Sequence, residues 1–181
     1  MVKVLEYPLT KQDTAALRCG DEVAFSGIVY TARDQAHKRL AALLERGKPL
    51  PFDLRNQMIY YCGPNPAAPG RVIGSCGPTT SQRMDVFTPV LLKHGLLGMI
   101  GKGERSPAVV AAIKQYRAIY YITHAGCGAL LSEYVTKADN VCFSDLGAEA
   151  VFRLEVKQFP LIVAIDTEGR SLYDTRGKKK T

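Results

Sequence analysis

Apolar positions along the chain fall into short runs separated by glycine and proline, with two longer stretches at helical spacing. Residues 2–7 and 22–30 are rich in β-forming side chains and read as strands. Between them Thr10 opens a short helix, with Asp13 three residues on as in a capping box. Residues 33–46 form an amphipathic helix with Leu40, Leu43 and Leu44 on one face, stopped by Gly47. Residues 58–62 read as a strand, residues 63–70 as a loop with three prolines, and residues 71–76 as another strand, broken by Gly77-Pro78. A helix capped by Thr80 or Ser81 is expected to run to about His94, with Pro89 as a kink. Residues 97–100 read as a short buried strand and residues 118–122 as a strand. The helix between them starts at Ser106-Pro107, a cap followed by an N1 proline, and ends near Arg117. A short helix over 126–134 and closing strands over 151–156 and 161–165 complete the pattern. Strands and helices are mixed throughout, which predicts an α/β class.

The 181 residues suit one domain over 1–175, followed by a basic tail over 176–181. With 46% apolar residues the chain can build a full core. No apolar run approaches the ~18 residues that span a bilayer. Residues 1–8 carry no basic segment followed by an apolar one, so a cytoplasmic location is expected. The five cysteines, Cys19, Cys62, Cys76, Cys127 and Cys142, are odd in number, widely spaced and free of any CxxC. Free thiols are expected rather than a disulfide framework, and the spacing argues for no metal or iron–sulfur site on this chain. The charge of 24 − 17 = +7 is concentrated in part in the tail. No basic patch with interleaved aromatics or nucleic-acid module accompanies it, and an anionic substrate accounts equally well for the internal basic residues.

Candidate chemistry gathers at three junctions that follow strands. Gly77-Pro78-Thr79-Thr80-Ser81-Gln82-Arg83-Met84-Asp85 places two threonines and a serine where a helix is expected to begin, with Arg83 one turn beyond Thr79. Backbone N–H groups at a helix N-terminus attract anions, and a guanidinium fork fits a carboxylate. The same pattern also describes an ordinary cap beside a surface arginine. It is not a P-loop, since no GKS or GKT follows. Thr31-Ala32-Arg33-Asp34 places Arg33 at a helix start, against the helix dipole, which hints at another role; a solvated helix start is the plainer alternative. Asp34 and Lys38 are an i,i+4 pair. In Gly101-Lys102-Gly103 the lysine can approach a ligand unobstructed. His37, His94 and His124 lack metal-ligand spacing. His124 stands in a glycine-rich turn with Cys127 and is able to line a pocket.

Taken together, the strings Thr31-Ala32-Arg33-Asp34-Gln35-Ala36-His37-Lys38-Arg39, Ile59-Tyr60-Tyr61-Cys62-Gly63-Pro64, Gly77 to Asp85, Gly101-Lys102-Gly103 and Leu146-Gly147-Ala148-Glu149-Ala150-Val151 resemble the β subunit of class I fumarate hydratase. The same unit forms the C-terminal domain of single-chain class I enzymes, and the likeness covers nearly the whole chain. The resemblance implies a swivelling β/β/α fold and reversible hydration of fumarate to (S)-malate. It implies a partner α subunit that carries an oxygen-sensitive [4Fe-4S] cluster, in a heteromer such as a dimer of heterodimers. It also implies Thr79 as base for the C3 proton, and Arg33, Thr79, Thr80, Arg83 and Lys102 as substrate-binding residues. No nucleic acid or membrane partner is expected. Gly126-Cys127-Gly128 departs from the alanine-rich turn of the family, and Cys127 reads as a pocket-lining or packing residue. L-tartrate dehydratase β subunits share the GPTTS string; cysteine is expected in them where this chain has Ala32, which favours fumarate. A dehydratase for tartrate or a methylated fumarate relative, and a non-catalytic anion-binding module, are the alternatives.

Overall fold

Five strands of the chain close on themselves. In the computed structural model, which describes residues 1–174, the sheet order is β1-β2-β3-β4-β5-β7-β6, and β2 also pairs with β7. The ring is therefore β2 (Glu22–Thr31), β3 (Met58–Tyr60), β4 (Gly98–Gly101), β5 (Ile119–Ile122) and β7 (Val151–Ile165). Its first four strands run parallel, and β7 closes it antiparallel to both β5 and β2. β1 (Lys3–Glu6) extends β2 in parallel, and β6 (Val135–Cys142) lies antiparallel along β7. The chain is a single domain of mixed sheet and helices, in agreement with the α/β expectation. The basic tail over 176–181 lies outside the described residues.

Parallel neighbours need crossovers, and helices supply them. α2 (Asp34–Glu45) links β2 to β3, α3 (Thr88–Lys93) lies between β3 and β4, and α4 (Pro107–Tyr116) links β4 to β5. The short α1 (Lys11–Ala16) and α5 (Gly128–Ser132) sit outside these units. The period-2 pleat divides the core in two. Met58, Tyr60 and Cys62 share one cluster with Phe25, Ile100, Tyr121 and Phe159. Ile59 and Tyr61 face the other, with Leu40 of α2, Leu91 of α3 and Ile113 of α4. Strands covered on both faces read as continuous apolar runs, which is why β3, β4 and β5 stand out in the sequence. Among the described residues no helix is long and apolar enough to cross a membrane.

The Thr10–Asp13 capping box is present, and Gly47 follows α2 with a left-handed φ of 63°. Four expectations are corrected. Residues 71–76 form no strand: Gly74 N–H donates to Asn65 O and Cys76 N–H to Gly128 O, so the backbone is satisfied by loops instead of a ladder. The single long helix after Gly77-Pro78 is a 3-10 turn, Ser81–Met84, followed by the separate α3, which has Pro89 in its first turn. The two closing strands are one strand, β7, whose left-handed Gln158 matches a bulge between Phe25 and Gly27 of β2. Strand β6 was not expected: its Val-Thr-Lys-Ala-Asp-Asn-Val-Cys sequence is mostly half-exposed and polar.

Candidate functional site

The sequence-derived site residues meet where the parallel strands end, the usual position for ligands in parallel α/β sheets. Arg33 follows β2. Tyr61 and Gly63 follow β3. Lys102 follows β4, and Thr79–Ser81 runs beside it. Thr79 N–H donates to Tyr61 O at 2.6 Å, Thr80 forms a parallel bridge with Lys102, and Ser81 N–H donates to Lys102 O at 3.0 Å. The segment is thus an extra strand-like edge. This corrects the expected anion site made of free N–H groups, because those of Thr79 and Ser81 are spent on carbonyls. Nor does either hydroxyl cap a helix: Thr80 makes no capping bond and is exposed, while Ser81 is buried.

Arg33 occupies the N-cap position of α2 without capping it. The cap comes from Glu149, whose Oε2 accepts Gln35 N–H at 3.0 Å. This carboxylate answers the helix dipole that Arg33 opposes. The Arg33 guanidinium lies against Gly63, where a Cβ would stand 2.9 Å from Arg33 Cδ and Nη1. Its ionic contacts are loose: 3.9 Å from Nε to Asp34 and 3.7 Å from Nη2 to Glu149. Nε is buried and has no hydrogen-bond partner. An unsatisfied buried donor costs about 1–3 kcal/mol, so this N–H is primed for an incoming acceptor. Beneath it, His37 points Nδ1 at Arg33 O, 2.9 Å away, and burial pushes its pKa down to about 4. A neutral imidazole adds no charge to the site.

Arg83, expected from its spacing to turn toward Thr79, is held by Asp34. It makes a two-point pair with Asp34, through Nε to Oδ1 at 2.9 Å and Nη2 to Oδ2 at 2.8 Å. The same pair replaces the expected Asp34–Lys38 contact, and Lys38 is exposed. The Lys102 ammonium has no carboxylate partner among the described residues. Arg33 and Arg83 share two carboxylates, Asp34 and Glu149, and Lys102 adds a third cation, leaving an excess of positive charge for an anion. Thr79 and Lys102 are half-buried and Arg83 is half exposed, so this face is open to solvent in the single chain.

Other candidates fall elsewhere. His124 is exposed, in a groove with Glu22, Gln158 and Pro160. Cys127 is exposed at the start of α5. Cys62 and Cys76 lie together in the core, where the neighbouring thiol and burial hold the Cys62 proton on. Among the described residues no group of three or more His, Cys, Asp or Glu side chains is placed to hold a metal ion. Sequence reasoning missed Asp34 as the partner of Arg83 and Glu149 as the partner of α2. Glu149 stood inside a quoted string, but its link to Gln35 spans 114 residues and has no local signal.

The family model described as Fumarase C-terminus matches residues 1–176. A Methanocaldococcus jannaschii protein, provisionally named L(+)-tartrate dehydratase subunit beta, is 41% identical over 94% of this chain and 91% of its own length. The L(+)-tartrate dehydratase subunit beta of Escherichia coli K12 is 34% identical over 95% of this chain and 87% of its own. The mitochondrial fumarate hydratase 1 of Leishmania major is 37% identical over 84% of this chain, which spans only 28% of that longer protein. A family match over nearly the full length, together with relatives of this identity and coverage, establishes that the chain belongs to the fumarase C-terminus family.

Proposed function

We propose that this chain is the β subunit of a two-subunit hydro-lyase that adds water reversibly to a four-carbon dicarboxylate, with fumarate to (S)-malate as the first reading. The observation that carries it is the Arg33 Nε beside Gly63, orphaned among the described residues, on the same strand ends as Thr79 and Lys102. Names of relatives support the subunit assignment: two are β subunits of tartrate dehydratase, and one is a fumarate hydratase. The closed five-stranded sheet with helices outside is compatible with the swivelling β/β/α fold that goes with this reading.

In this reading Arg33 takes one substrate carboxylate through its free Nε–H, and Lys102 and the remaining donors of Arg83 hold the other. Thr80, exposed next to Lys102, offers a further hydroxyl. In the dehydration direction the Thr79 side-chain oxygen, as its alkoxide, takes the C3 proton and becomes the hydroxyl. A threonine hydroxyl is a weak acid, so its anion needs nearby cations in a site shielded from water. Arg33 and Lys102 provide the charge. The shielding has to come from a covering surface, since the face is open, and the α subunit is the partner proposed to cover it. That subunit is also where the proposal puts the [4Fe-4S] cluster, whose open iron would supply Lewis-acid chemistry when bound.

L(+)-tartrate is the second reading, favoured by the two β-subunit relatives whose lengths this chain nearly matches. Ala32 was the sequence argument for fumarate. It is fully buried in the helix-side cluster, so it does not present itself to a substrate. Assay of the co-expressed, anaerobically reconstituted heteromer on (S)-malate and L(+)-tartrate decides between them. A malate kcat/KM at least tenfold above that for tartrate supports fumarate chemistry, the reverse ratio supports tartrate, and activity on neither of these nor on a methylated fumarate overturns the hydro-lyase reading.

A further inference from the structure

Behind the open face lies a buried cation with no exposed surface. The Arg105 side chain is 0% exposed. Its Nε donates to Asp85 Oδ1 at 2.7 Å and its Nη2 to Thr88 Oγ1 at 2.7 Å. Its guanidinium lies 5.3 Å from the Tyr61 ring centre and 4.9 Å from that of Tyr120. The second oxygen of Asp85 accepts Ser106 N–H at 2.6 Å, where α4 begins. A buried ion pair is weak grounds for stability by itself, because desolvation of both charges offsets their attraction. What the pair holds in place is therefore the informative question.

It holds Tyr120. The Tyr120 hydroxyl lies 2.8 Å from Gly103 O and 2.8 Å from Ser81 Oγ. A phenol has one proton to give, and a carbonyl can only accept. Donation to Gly103 O leaves the phenol oxygen to accept the Ser81 proton. Ser81 Oγ in turn accepts Lys102 N–H at 3.0 Å, and Ser81 N–H donates to Lys102 O at 3.0 Å. Gly101 is what lets Ser81 in: a Cβ there would stand 2.0 Å from Ser81 Oγ and 2.9 Å from the Tyr61 ring. The result is a directional chain of hydrogen bonds, from Lys102 N–H through Ser81 and Tyr120 to Gly103 O. It clamps the segment bearing Thr79 and Thr80 to the turn bearing Lys102.

We propose that Tyr120 and Ser81, backed by Arg105, form a positioning relay that sets the spacing between the Thr79 hydroxyl and the Lys102 ammonium. The catalytic consequence rests on reading this face as the dicarboxylate site. None of the three residues need touch substrate; each acts through the backbone of residues 79–81 and 101–103.

Tyr120→Phe and Ser81→Ala each remove one oxygen and keep the surrounding shape. Leu17→Ala is the control, a buried core change before the amino end of β2 and so away from the strand ends that carry the site. Amide exchange of the full chain, resolved by NMR, is expected to rise at least tenfold at Lys102 and Ser81 in Tyr120→Phe, and at Lys102 in Ser81→Ala. Amides of β2 and β7 should keep their rates. Leu17→Ala should lower Tm without a selective effect at 81 and 102. In the heteromer each relay variant should lower kcat/KM about tenfold. Tyr120→Phe added to Ser81→Ala should cost less than a further twofold, since serially linked groups are not additive. Unchanged exchange at Lys102, or a fully additive double variant, overturns the relay. If the wild-type heteromer turns over no dicarboxylate, the functional reading fails, and the exchange data still decide whether the clamp exists.

Discussion

Asp34 and Arg83 are 49 residues apart in sequence and joined side by side, Nε to Oδ1 and Nη2 to Oδ2. The pair orients Arg83 at the edge of the open face while neutralising it in part. Being half exposed, it should add less than ~1 kcal/mol to stability. In the heteromer Arg83→Ala is expected to reduce kcat/KM for the dicarboxylate by about tenfold or more, through loss of a charge-assisted contact. Arg83→Lys should recover only part, because an ammonium cannot fork. Asp34→Asn should show a smaller loss, since the charge of Arg83 survives without its orientation. Steady-state kinetics of the three variants check this, and an Arg83→Lys enzyme equal to wild type would remove the fork from the account.

Arg33 should carry more of the binding than Arg83, because its Nε is buried and unpartnered. A charge-assisted bond there is worth on the order of 1.5–3 kcal/mol, so Arg33→Ala should weaken dicarboxylate binding roughly 10- to 150-fold. Gly63→Ala probes the same group without touching it: the new methyl would stand 2.9 Å from Arg33 Cδ and Nη1 and push the guanidinium aside. We expect KM to rise, and Tm to fall as well, because the same methyl would stand 3.0 Å from the backbone oxygen of Ala148, measured by kinetics beside a thermal melt. An unchanged KM in both variants would move the carboxylate site away from Arg33.

The neighbouring threonines should separate cleanly. Thr79→Ala is expected to lower kcat about 10²-fold or more with KM nearly unchanged, the scale of a lost general base. Thr79→Ser should recover part of the rate, with looser positioning. Thr80 is exposed and caps nothing, so Thr80→Ala should change stability by less than ~0.5 kcal/mol. Near-normal kcat in Thr79→Ala would assign the base to the α subunit.

His37 gives the fold an acid-side sensitivity. Its pKa is lowered from 6.5 to about 4 by burial, so between those values the unfolded chain binds a proton that the folded chain does not. Stability from this group is intact above pH 6.5 and falls as pH drops to about 4, by about 1.4 kcal/mol per unit at most. Urea denaturation of the isolated chain from pH 7 to 4 should show the slope, and His37→Gln should flatten it while lowering stability at pH 7. An equal slope in the variant would mean that other groups carry the dependence.

The apolar strands and the α1 cap were legible because each is dictated locally. β3 and β4 are fully buried runs, and Thr10 and Asp13 satisfy each other within one turn. Residues 71–76 misled because Val72 and Ile73 favour a strand, yet no neighbour offers them a ladder. β6 was invisible for the opposite reason: an edge strand with Lys137, Asp139 and Asn140 has little apolar alternation, and β7 makes it a strand. Pro160 split β7 in the sequence, although it pairs with Ala24 in register. At the site, Arg33, Thr79 and Lys102 were legible as residues in strand-end turns. The carboxylates that answer the cations, and the orientation of Ser81 into the core, depend on contacts tens of residues away and leave no local trace.

The closure of the sheet by β7 also sets the order in which the molecule can be completed. Thr31, two residues before Arg33, accepts Phe152 N–H at 3.0 Å, and Glu149 stands just before β7. These partners follow β1 to β5 in the sequence and so leave a ribosome after them. Until they emerge, β2 and β5 have bare edges and α2 lacks its cap, so a nascent chain holds strands 1 to 5 without a finished anion site. Contacts of such long range are slow to form and leave edges open to mispairing. Newly made chains should therefore remain protease-sensitive until roughly residue 165 is free, and acquire resistance and dicarboxylate affinity in the same step.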